Sequence, residues 1–206
     1  MTPSVHSSAR RWAAAVAVVA VLVAVAVVVN RATRPHTAGS LRTDPALVAR
    51  ADLDPCPAST HPPVAGGLPT LRLPCLGTGR AVDLAGLRGP LLVNIWAAPC
   101  PPCQQEAPIL QRFYAANKAK VGVLGVVDGN YPDTPNDALD AAHGLGLHYP
   151  SVFDAKGELL TRLHLTGIPV TLFIAADGSI AGRHIGQIRD GELPSLVARY
   201  LGIRTS

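Results

Sequence analysis

The hydrophobic pattern divides the chain into one long apolar run near the N-terminus and a longer region of alternating elements. Residues 12–29 consist of Trp12 followed only by Ala, Val and Leu. As a helix this run is about 27 Å long at about 1.5 Å per residue, which is close to the ~30 Å hydrocarbon core of a bilayer. A helix also lets a single segment satisfy its own backbone polar groups in lipid. The pattern therefore predicts a transmembrane helix at residues 12–29.

A cleaved signal peptide is the competing interpretation of the same run. Residues 24–26, Ala-Val-Ala, resemble a cleavage site of small residues, but three more valines follow it. The run is also longer than the roughly 7–15 apolar residues typical of a cleaved leader. We therefore expect an uncleaved anchor, with residues 1–11 before it, a tether and irregular cap at residues 30–69, and the folded domain at residues 70–206.

Beyond residue 70, strand-like and helix-like segments alternate. Two short strand patterns at residues 71–73 and 81–84, separated by a Gly-Thr-Gly turn, predict a hairpin, and the apolar run at residues 91–96 predicts a buried central strand. Further patterns predict strands at residues 121–127, 151–153, 170–174 and 180–185 and helices at residues 100–118, 133–145, 157–165 and 190–201, the last with Asp190 as its N-cap. This order predicts an α/β fold in which a mixed sheet carries helices on both faces.

Composition and charge restrict the partners of the protein. The formal net charge is +4, the arginines are scattered along the chain, and aromatic residues make up 4%. A nucleic-acid site would need a run of basic residues with interleaved aromatic residues, and the sequence has none. We therefore expect no nucleic-acid partner, and no cofactor is predicted.

The candidate chemistry lies in Cys100-Pro101-Pro102-Cys103, at the junction between the strand of residues 91–96 and the next helix. The first cysteine of such a pair occupies the helix N-terminus, where unpaired backbone N–H groups and the helix dipole favour an anion. This lowers the pKa of the thiol, and the thiolate is the species that attacks a disulfide. We expect Cys100 to be the nucleophile and Cys103 to be the thiol that resolves the mixed disulfide.

Metal binding is the alternative use of the cysteine pair. A tetrahedral zinc site needs two further ligands, and His143 and His148 lack a cysteine partner at ligand spacing. A copper chaperone that combines the pair with His164 or His184 is a second alternative. The position of the pair at a helix start favours redox chemistry, so no metal site is predicted.

Two segments carry a resemblance to a known family. Residues 94–108, Asn-Ile-Trp-Ala-Ala-Pro-Cys-Pro-Pro-Cys-Gln-Gln-Glu-Ala-Pro, and residues 166–174, Thr-Gly-Ile-Pro-Val-Thr-Leu-Phe-Ile, followed by Asp177-Gly178, resemble the active-site signature and the cis-proline segment of the TlpA/ResA-like thiol-disulfide oxidoreductases. The resemblance covers about residues 71–201. It implies a thioredoxin fold with an N-terminal hairpin extension and a central βα insertion, and it implies that Pro169 is cis and faces the cysteine pair.

The same resemblance implies supporting roles for Glu106 and Trp96. Glu106 lies three positions beyond Cys103 on the same helix face, and a partly desolvated carboxylate there raises the pKa of the second thiol or relays its proton. A solvated helix glutamate is the alternative. Trp96 is expected to shield the cysteines, with an ordinary core position as the alternative. Asn94 stands where classical thioredoxins carry a buried Asp, and Pro99 replaces the aromatic residue that often precedes the first cysteine.

Cys56 and Cys75 lie outside the motif, in proline-rich surroundings and away from any predicted helix start. A disulfide between them would restrain the cap and contribute about 3 kcal/mol by loop closure. Two free buried cysteines and a second redox relay are the alternatives. Because structural disulfides belong in oxidising compartments, we expect the domain to lie outside the cytoplasmic membrane and the N-terminus to lie in the cytoplasm.

These expectations combine into one functional hypothesis. The chain is predicted to be a membrane-anchored, extracytoplasmic thiol-disulfide oxidoreductase that acts on protein disulfides. The resemblance implies reduction, with apocytochrome c among the substrates and a membrane thiol carrier as the electron donor. An oxidative, disulfide-forming catalyst is the alternative enzyme. A metal chaperone or an anchored binding domain is the alternative that is not an enzyme.

Overall fold

The computed structural model describes residues 43–131 and 133–205. The apolar run at residues 12–29, predicted as a transmembrane anchor, lies outside the described residues. Among the helices within these ranges, none combines the length and the apolar character that crossing a bilayer requires. The described ranges contain part of the predicted cap and nearly all of the predicted folded domain.

The described residues form seven strands in two sheets, accompanied by five α-helices. The strands are β1 (Arg72–Pro74), β2 (Ala81–Asp83), β3 (Leu91–Trp96), β4 (Gly122–Asp128), β5 (Ser151–Asp154), β6 (Val170–Ile174) and β7 (Ile180–Ile185). The helices are α1 (Pro45–Ala51), α2 (Pro101–Asn117), α3 (Pro135–Gly144), α4 (Glu158–Arg162) and α5 (Glu192–Leu201).

The central strand of the larger sheet is β3. The first two strands form an antiparallel hairpin, and the other five form one sheet in the order β5-β4-β3-β6-β7. β3 runs parallel to β4 and antiparallel to β6. All of its residues are buried, because other elements cover both faces of the sheet. This is the mixed sheet that the order of elements predicts.

The side chains of β3 alternate between two hydrophobic cores. Leu92 and Trp96 belong to a core shared with α2, α3 and α5, whereas Leu91, Val93 and Ile95 belong to a core shared with the hairpin and α4. The alternation follows from the period of two residues in a strand. Trp96 therefore lies on the same face of the sheet as the helix that carries both motif cysteines.

α2 begins within one residue of its predicted start, and α3 begins at Pro135, two residues after the predicted start at residue 133. Both have proline at the first helical turn, where the missing N–H would have had no partner in the helix. Thr134 caps α3 through a reciprocal capping box with Asp137. The start of α2 is therefore determined locally, by Cys100 and the proline that follows it.

The start of α5 corrects a prediction, because Asp190 is not its N-cap. The N-cap is Gly191, and no side chain caps this helix. Gly191 has a left-handed backbone with φ of 79°, a conformation that glycine adopts without steric cost. The helix consequently starts one residue later than predicted, and the Asp190 carboxylate instead accepts a hydrogen bond from Arg112 at 2.8 Å.

Residues 43–57, called the strap below, contain a helix that the sequence pattern did not predict. α1 begins after Asp44, whose carboxylate accepts a hydrogen bond from the Ala46 amide at 2.8 Å. Its residue Ala51 is buried in the same core as α3. A helix of two turns depends on such packing for its stability, and it is too short to give a periodic pattern.

The hairpin protects the free edge of β5. Cys75 pairs with Val152 in an antiparallel bridge, and the Leu76 amide donates to the Ser151 carbonyl at 2.8 Å. An uncovered edge strand offers unpaired backbone groups to other chains. The segment before β3 thus completes the sheet on the side away from β7.

Candidate active site

Cys100 and Cys103 form a disulfide at the start of α2, with Cα atoms 5.3 Å apart. Cys100 is the N-cap of the helix, and its Sγ accepts the amide hydrogen of Cys103 at a heavy-atom distance of 3.3 Å. After reduction, a thiolate at this position accepts a hydrogen bond from the same amide and lies in the electrostatic field of the helix N-terminus. Both effects favour the ionised sulfur over the thiol.

The two cysteine residues of the motif differ in exposure. Cys100 retains 7% of its surface and Cys103 retains 1%. The neighbours of Cys100 along the chain, Pro99 and Pro101, are exposed. Cys100 is therefore the more accessible residue of the pair.

Glu106 is buried in α2, and the alternative of a solvated helix glutamate is wrong. It retains 1% of its surface. Its Oε1 accepts a hydrogen bond from Asn94 Nδ2 at 2.7 Å, and its Oε2 accepts one from the Ile188 amide at 2.8 Å. Burial raises the pKa of the Glu106 carboxyl to about 7, against the opposing effect of these two hydrogen bonds. Both protonation states are accordingly accessible near neutral pH.

Asn94 connects this carboxyl to the strand that follows Pro169. Its side-chain amide donates to Glu106 and also to Thr171 Oγ1 at 3.1 Å. The residue replaces the buried acid of classical thioredoxins with a neutral donor. Glu106 thus contributes the ionisable group of this buried network, and Asn94 orients it.

Pro169 immediately precedes β6, and the Ile168–Pro169 peptide bond is cis, as the family resemblance implied. Because β6 is antiparallel to β3, with Val170 opposite Ile95, the start of β6 lies at the end of the sheet where β3 leads into α2. Pro169 is buried, and its carbonyl accepts the Gly186 amide at 2.9 Å. The proline and the cysteine pair therefore lie at the same end of the sheet.

Trp96 is a buried member of the core that contains both motif cysteines. Among the described residues its indole Nε1 finds no hydrogen-bond partner. A Cβ atom on Gly125 of the neighbouring strand would lie 2.9 Å from that nitrogen. The close approach explains why a glycine stands at this position of β4.

Asp133 is a site residue that the sequence analysis missed. Its Oδ2 accepts a hydrogen bond from the Ala98 amide at 2.7 Å, two positions before Cys100. The side chain is buried, and this burial, with smaller repulsion from Asp137 and Asp128, raises its pKa to about 6. An acid placed between a buried strand and a helix cap was the available indication, because the carboxyl ends of parallel strands meet at one edge of a sheet.

The two histidines considered as zinc ligands have other contacts. His143 Nδ1 lies 3.0 Å from the Arg50 carbonyl oxygen, and His148 Nδ1 lies 3.0 Å from that of Asp52, so both contact the strap. In residues 43–131 and 133–205, no group of three or more His, Cys, Asp or Glu side chains is arranged to hold a metal ion.

Cys56 and Cys75 also form a disulfide, with Cα atoms 6.1 Å apart. The alternative of two free cysteines is therefore wrong. The bond ties the end of the strap to the hairpin, and both residues are buried beside β5. Arg80 donates to the carbonyls of Cys56 and Pro57. Neither sulfur lies at a helix start.

The family comparison agrees with this arrangement. The profile of one protein family, Redoxin, matches residues 63–199, which is more than half of the chain. The chain belongs to the Redoxin family. This match includes the cysteine motif, Glu106, Asp133 and Pro169.

Two relatives with curated names are thiol:disulfide interchange proteins. DsbE of Yersinia pestis is 34% identical over 131 residues, which cover 60% of this chain and 66% of that protein. CycY of Rhizobium leguminosarum bv. viciae is 32% identical over 123 residues, which cover 56% of this chain and 63% of that protein. The chain thus spans slightly less than two thirds of the length of these relatives. They confirm the resemblance to TlpA/ResA-like proteins.

A solved structure confirms the predicted thioredoxin-like α/β fold. The secreted Mycobacterium tuberculosis disulfide oxidoreductase described as homologous to E. coli DsbE is 25% identical to this chain, with a TM-score of 0.56. The similarity covers 63% of this chain and 96% of that structure. It therefore concerns nearly the whole of that structure and somewhat less than two thirds of this chain.

Proposed function

We propose that this protein is a thiol-disulfide oxidoreductase that acts on protein disulfides through Cys100 and Cys103. The observation that carries the proposal is the position of Cys100 as the N-cap of α2, where its Sγ accepts the amide of Cys103. The names of the relatives, which are thiol:disulfide interchange proteins, support the same chemistry.

The exchange consists of two balanced steps. The Cys100 thiolate attacks one sulfur of a client disulfide and forms a mixed disulfide, while the other client sulfur leaves as a thiolate and takes up a proton. The Cys103 thiolate then attacks Cys100 Sγ, which closes the Cys100–Cys103 bond and releases the second client sulfur. The client gains two electrons, and the protein is left with the disulfide described above.

Glu106 is the proposed proton acceptor for Cys103. It lies one helical turn beyond this cysteine, and its pKa near 7 lets it take up a proton at neutral pH and release it again. Trp96, which packs in the same core, is proposed to exclude water from the cysteines. Pro169 is proposed to border the surface on which the client backbone docks.

The proposed direction is reduction of client disulfides outside the cytoplasm. The TlpA/ResA-like resemblance supports this direction and extends the clients to apocytochrome c, with electrons supplied by a membrane thiol carrier. The Cys56–Cys75 disulfide supports an oxidising location, as does the description of the related M. tuberculosis protein as secreted. Residues 12–29 are proposed to anchor the domain to the membrane.

Trapping of the mixed disulfide tests the mechanism. In the full chain with Cys103→Ser, the second step is blocked, so a covalent adduct with oxidised insulin should accumulate on non-reducing gels. With Cys100→Ser no adduct should form. Adduct formation by the Cys100→Ser protein alone would reverse the assigned roles, and its absence in both variants would contradict the proposed activity.

The reduction potential of the Cys100–Cys103 pair tests the direction. Equilibration of the full chain with glutathione should give a value at or below about −250 mV for a reductant, whereas a value near about −120 mV would indicate an oxidant. The paired variant Cys56→Ala/Cys75→Ala is the matched control, because it leaves the motif as the only cysteine pair of the chain.

A further inference from the structure

Residues 97–99, the loop between β3 and α2, are fixed from two sides. The Ala98 amide donates to Asp133 Oδ2 at 2.7 Å, and the Ala98 carbonyl accepts a hydrogen bond from Gln104 Nε2 at 2.6 Å. The Cys100 amide in turn donates to the Ala97 carbonyl at 3.2 Å. The backbone that leads into Cys100 is therefore held by one group from outside α2 and by one from within it.

Asp133 is the outside group, and its surroundings make its charge sensitive to pH. The residue retains 7% of its surface, and its Oδ1 is buried without a hydrogen-bond partner among the described residues. The charged groups that act on it are Asp137 on α3 and Asp128 at the end of β4, both of them carboxylates. Burial and these like charges raise its pKa to about 6, although the amides of Ala98 and Thr134 oppose the rise.

We propose that Asp133 is a positioning residue for Cys100. The carboxylate of Asp133 holds residues 97–99 firmly when it is ionised and less firmly when it is protonated. A hydrogen bond to an ionised acceptor is roughly twice as strong as one to a neutral acceptor. Ionisation of Asp133 therefore strengthens the contact with the Ala98 amide and fixes the sulfur at the start of α2. This inference rests on the proposed function, because it concerns how Cys100 reacts.

The contact itself can be measured in the oxidised full chain, where neither cysteine titrates. By nuclear magnetic resonance, the Ala98 amide should change its chemical shift with a midpoint near pH 6, the pKa of Asp133. The change should be absent in Asp133→Asn. The Ile188 amide, which donates to Glu106, should titrate near pH 7 in both proteins and serves as an internal reference.

The effect on the sulfur is measured in the reduced full chain. The rate of alkylation of Cys100, divided by the thiolate fraction obtained from ultraviolet absorbance, should rise about threefold from pH 5 to pH 7.5 in the unmodified protein. Asp133→Asn keeps an acceptor for Ala98 but cannot ionise, so its corrected rate should stay at the low-pH value throughout. Asp133→Ala, which removes the acceptor, should react more slowly than Asp133→Asn at every pH.

The matched control is Asp140→Asn, which removes an exposed carboxylate from α3, the helix that follows Asp133, and should keep both the Ala98 titration and the rise in rate. If Asp133 merely supported the turn before α3, its substitution would lower stability without changing the pH profile. Persistence of the Ala98 titration in Asp133→Asn, or equal corrected rates for this variant and the unmodified protein at pH 7.5, would overturn the proposal.

Failure of the proposed function would look different. If a Cys100→Ser protein still reduced insulin, Cys100 would not be the nucleophile and the proposed function would be contradicted. The titration of the Ala98 amide would be unaffected by that result. Asp133→Asn preserves the shape of the side chain, so the comparison between Asn and Asp remains available if the alanine variant does not fold.

Discussion

The two disulfides of this protein are buried to a similar degree but lie in very different surroundings. Cys100 and Cys103 retain 7% and 1% of their surface, and Cys56 and Cys75 retain 5% and 3%. The first bond closes a loop of three positions, whereas the second spans 19. Exposure alone would not tell which of the two bonds is the reactive one.

Electrostatic environment distinguishes them. The motif disulfide begins a helix of 17 residues and has two buried acids nearby along the chain and across the sheet edge, Glu106 and Asp133. The other disulfide contacts backbone carbonyls, with Sγ of Cys56 3.4 Å from the Ser151 oxygen. A carbonyl oxygen disfavours a thiolate, whereas helix amides favour it. The comparison indicates that the helix N-terminus, more than exposure, distinguishes the surroundings of the motif disulfide from those of the Cys56–Cys75 disulfide.

Removal of each bond in turn is the strongest way to break this comparison. Cys100→Ser should lower the rate of insulin reduction by at least about 10³-fold, because the nucleophile is lost. Cys56→Ala/Cys75→Ala should keep the rate within about twofold and lower the free energy of unfolding by about 3 kcal/mol through loop closure. Urea denaturation and an insulin assay measure both. A loss of activity in the paired variant as large as that of Cys100→Ser would instead favour a second redox relay.

The buried acid Glu106 sharpens the comparison through pH. Its pKa is 4.5 in the unfolded reference and about 7 in the folded protein. Between these pH values the folded state binds more protons than the unfolded state, so the free energy of unfolding falls as the pH rises. The contribution of Glu106 to stability is complete below pH 4.5 and is lost as the pH rises through 7. The loss amounts to about 3 kcal/mol at about 1.4 kcal/mol for each pH unit. Glu106→Gln, which cannot ionise, should show a correspondingly smaller decline in urea denaturation between these pH values.

A control and a second measurement accompany this substitution. Glu158→Gln removes the charge of a surface acid paired with Arg162 at 2.7 Å and should leave the decline unchanged. If Glu106 accepts the proton of Cys103, Glu106→Gln should also slow the release of the mixed disulfide by about 10²-fold at pH 7. An unchanged release rate would leave Glu106 with a role in stability alone.

Gly125 offers a smaller perturbation that reaches the motif through Trp96. In Gly125→Ala the new methyl group would meet Ser151 Oγ and, at 2.9 Å, Trp96 Nε1. Overpacking of this kind costs about 1–3 kcal/mol. In a Trp12→Phe background, which leaves Trp96 as the single tryptophan, its fluorescence should shift to longer wavelength. Gly144→Ala, where the methyl group meets no atom, should leave the fluorescence unchanged and should not lower stability, because alanine favours a helix over glycine by up to about 1 kcal/mol.

The parts of the fold that the sequence predicts best are those determined by local pattern. β3, β6 and β7 have the predicted bounds, because each is a short apolar or alternating run bounded by turn residues. The cysteine motif is likewise local, since a helix start and its cap lie within a few residues. Pro169 required the family resemblance, because an isoleucine–proline pair alone does not indicate a cis bond.

The features that escaped prediction depend on contacts between distant residues. Asp133 reaches the Ala98 amide across 35 positions, and that contact exists only because β3 and β4 lie side by side in register. α1 is stabilised by packing on α3, and Asp190 lost the cap position to the backbone conformation of Gly191. Pattern gives the elements, whereas the second acid of the site arises from how the elements meet.

The weakest predicted effect concerns how the strap is attached near the structural disulfide. Arg50 of α1 and Asp140 of α3 form an ion pair at 2.9 Å, and their side chains remain 53% and 68% exposed. Water and salt screen such a pair, so its coupling energy should be about 0.5 kcal/mol. A double-mutant cycle with Arg50→Ala and Asp140→Ala, measured by urea denaturation at low and high salt, gives this value. A coupling above about 2 kcal/mol would mean that the ion pair, rather than the Cys56–Cys75 bond and the burial of Ala51, attaches the strap. The structural role assigned to the Cys56–Cys75 disulfide would then be contradicted.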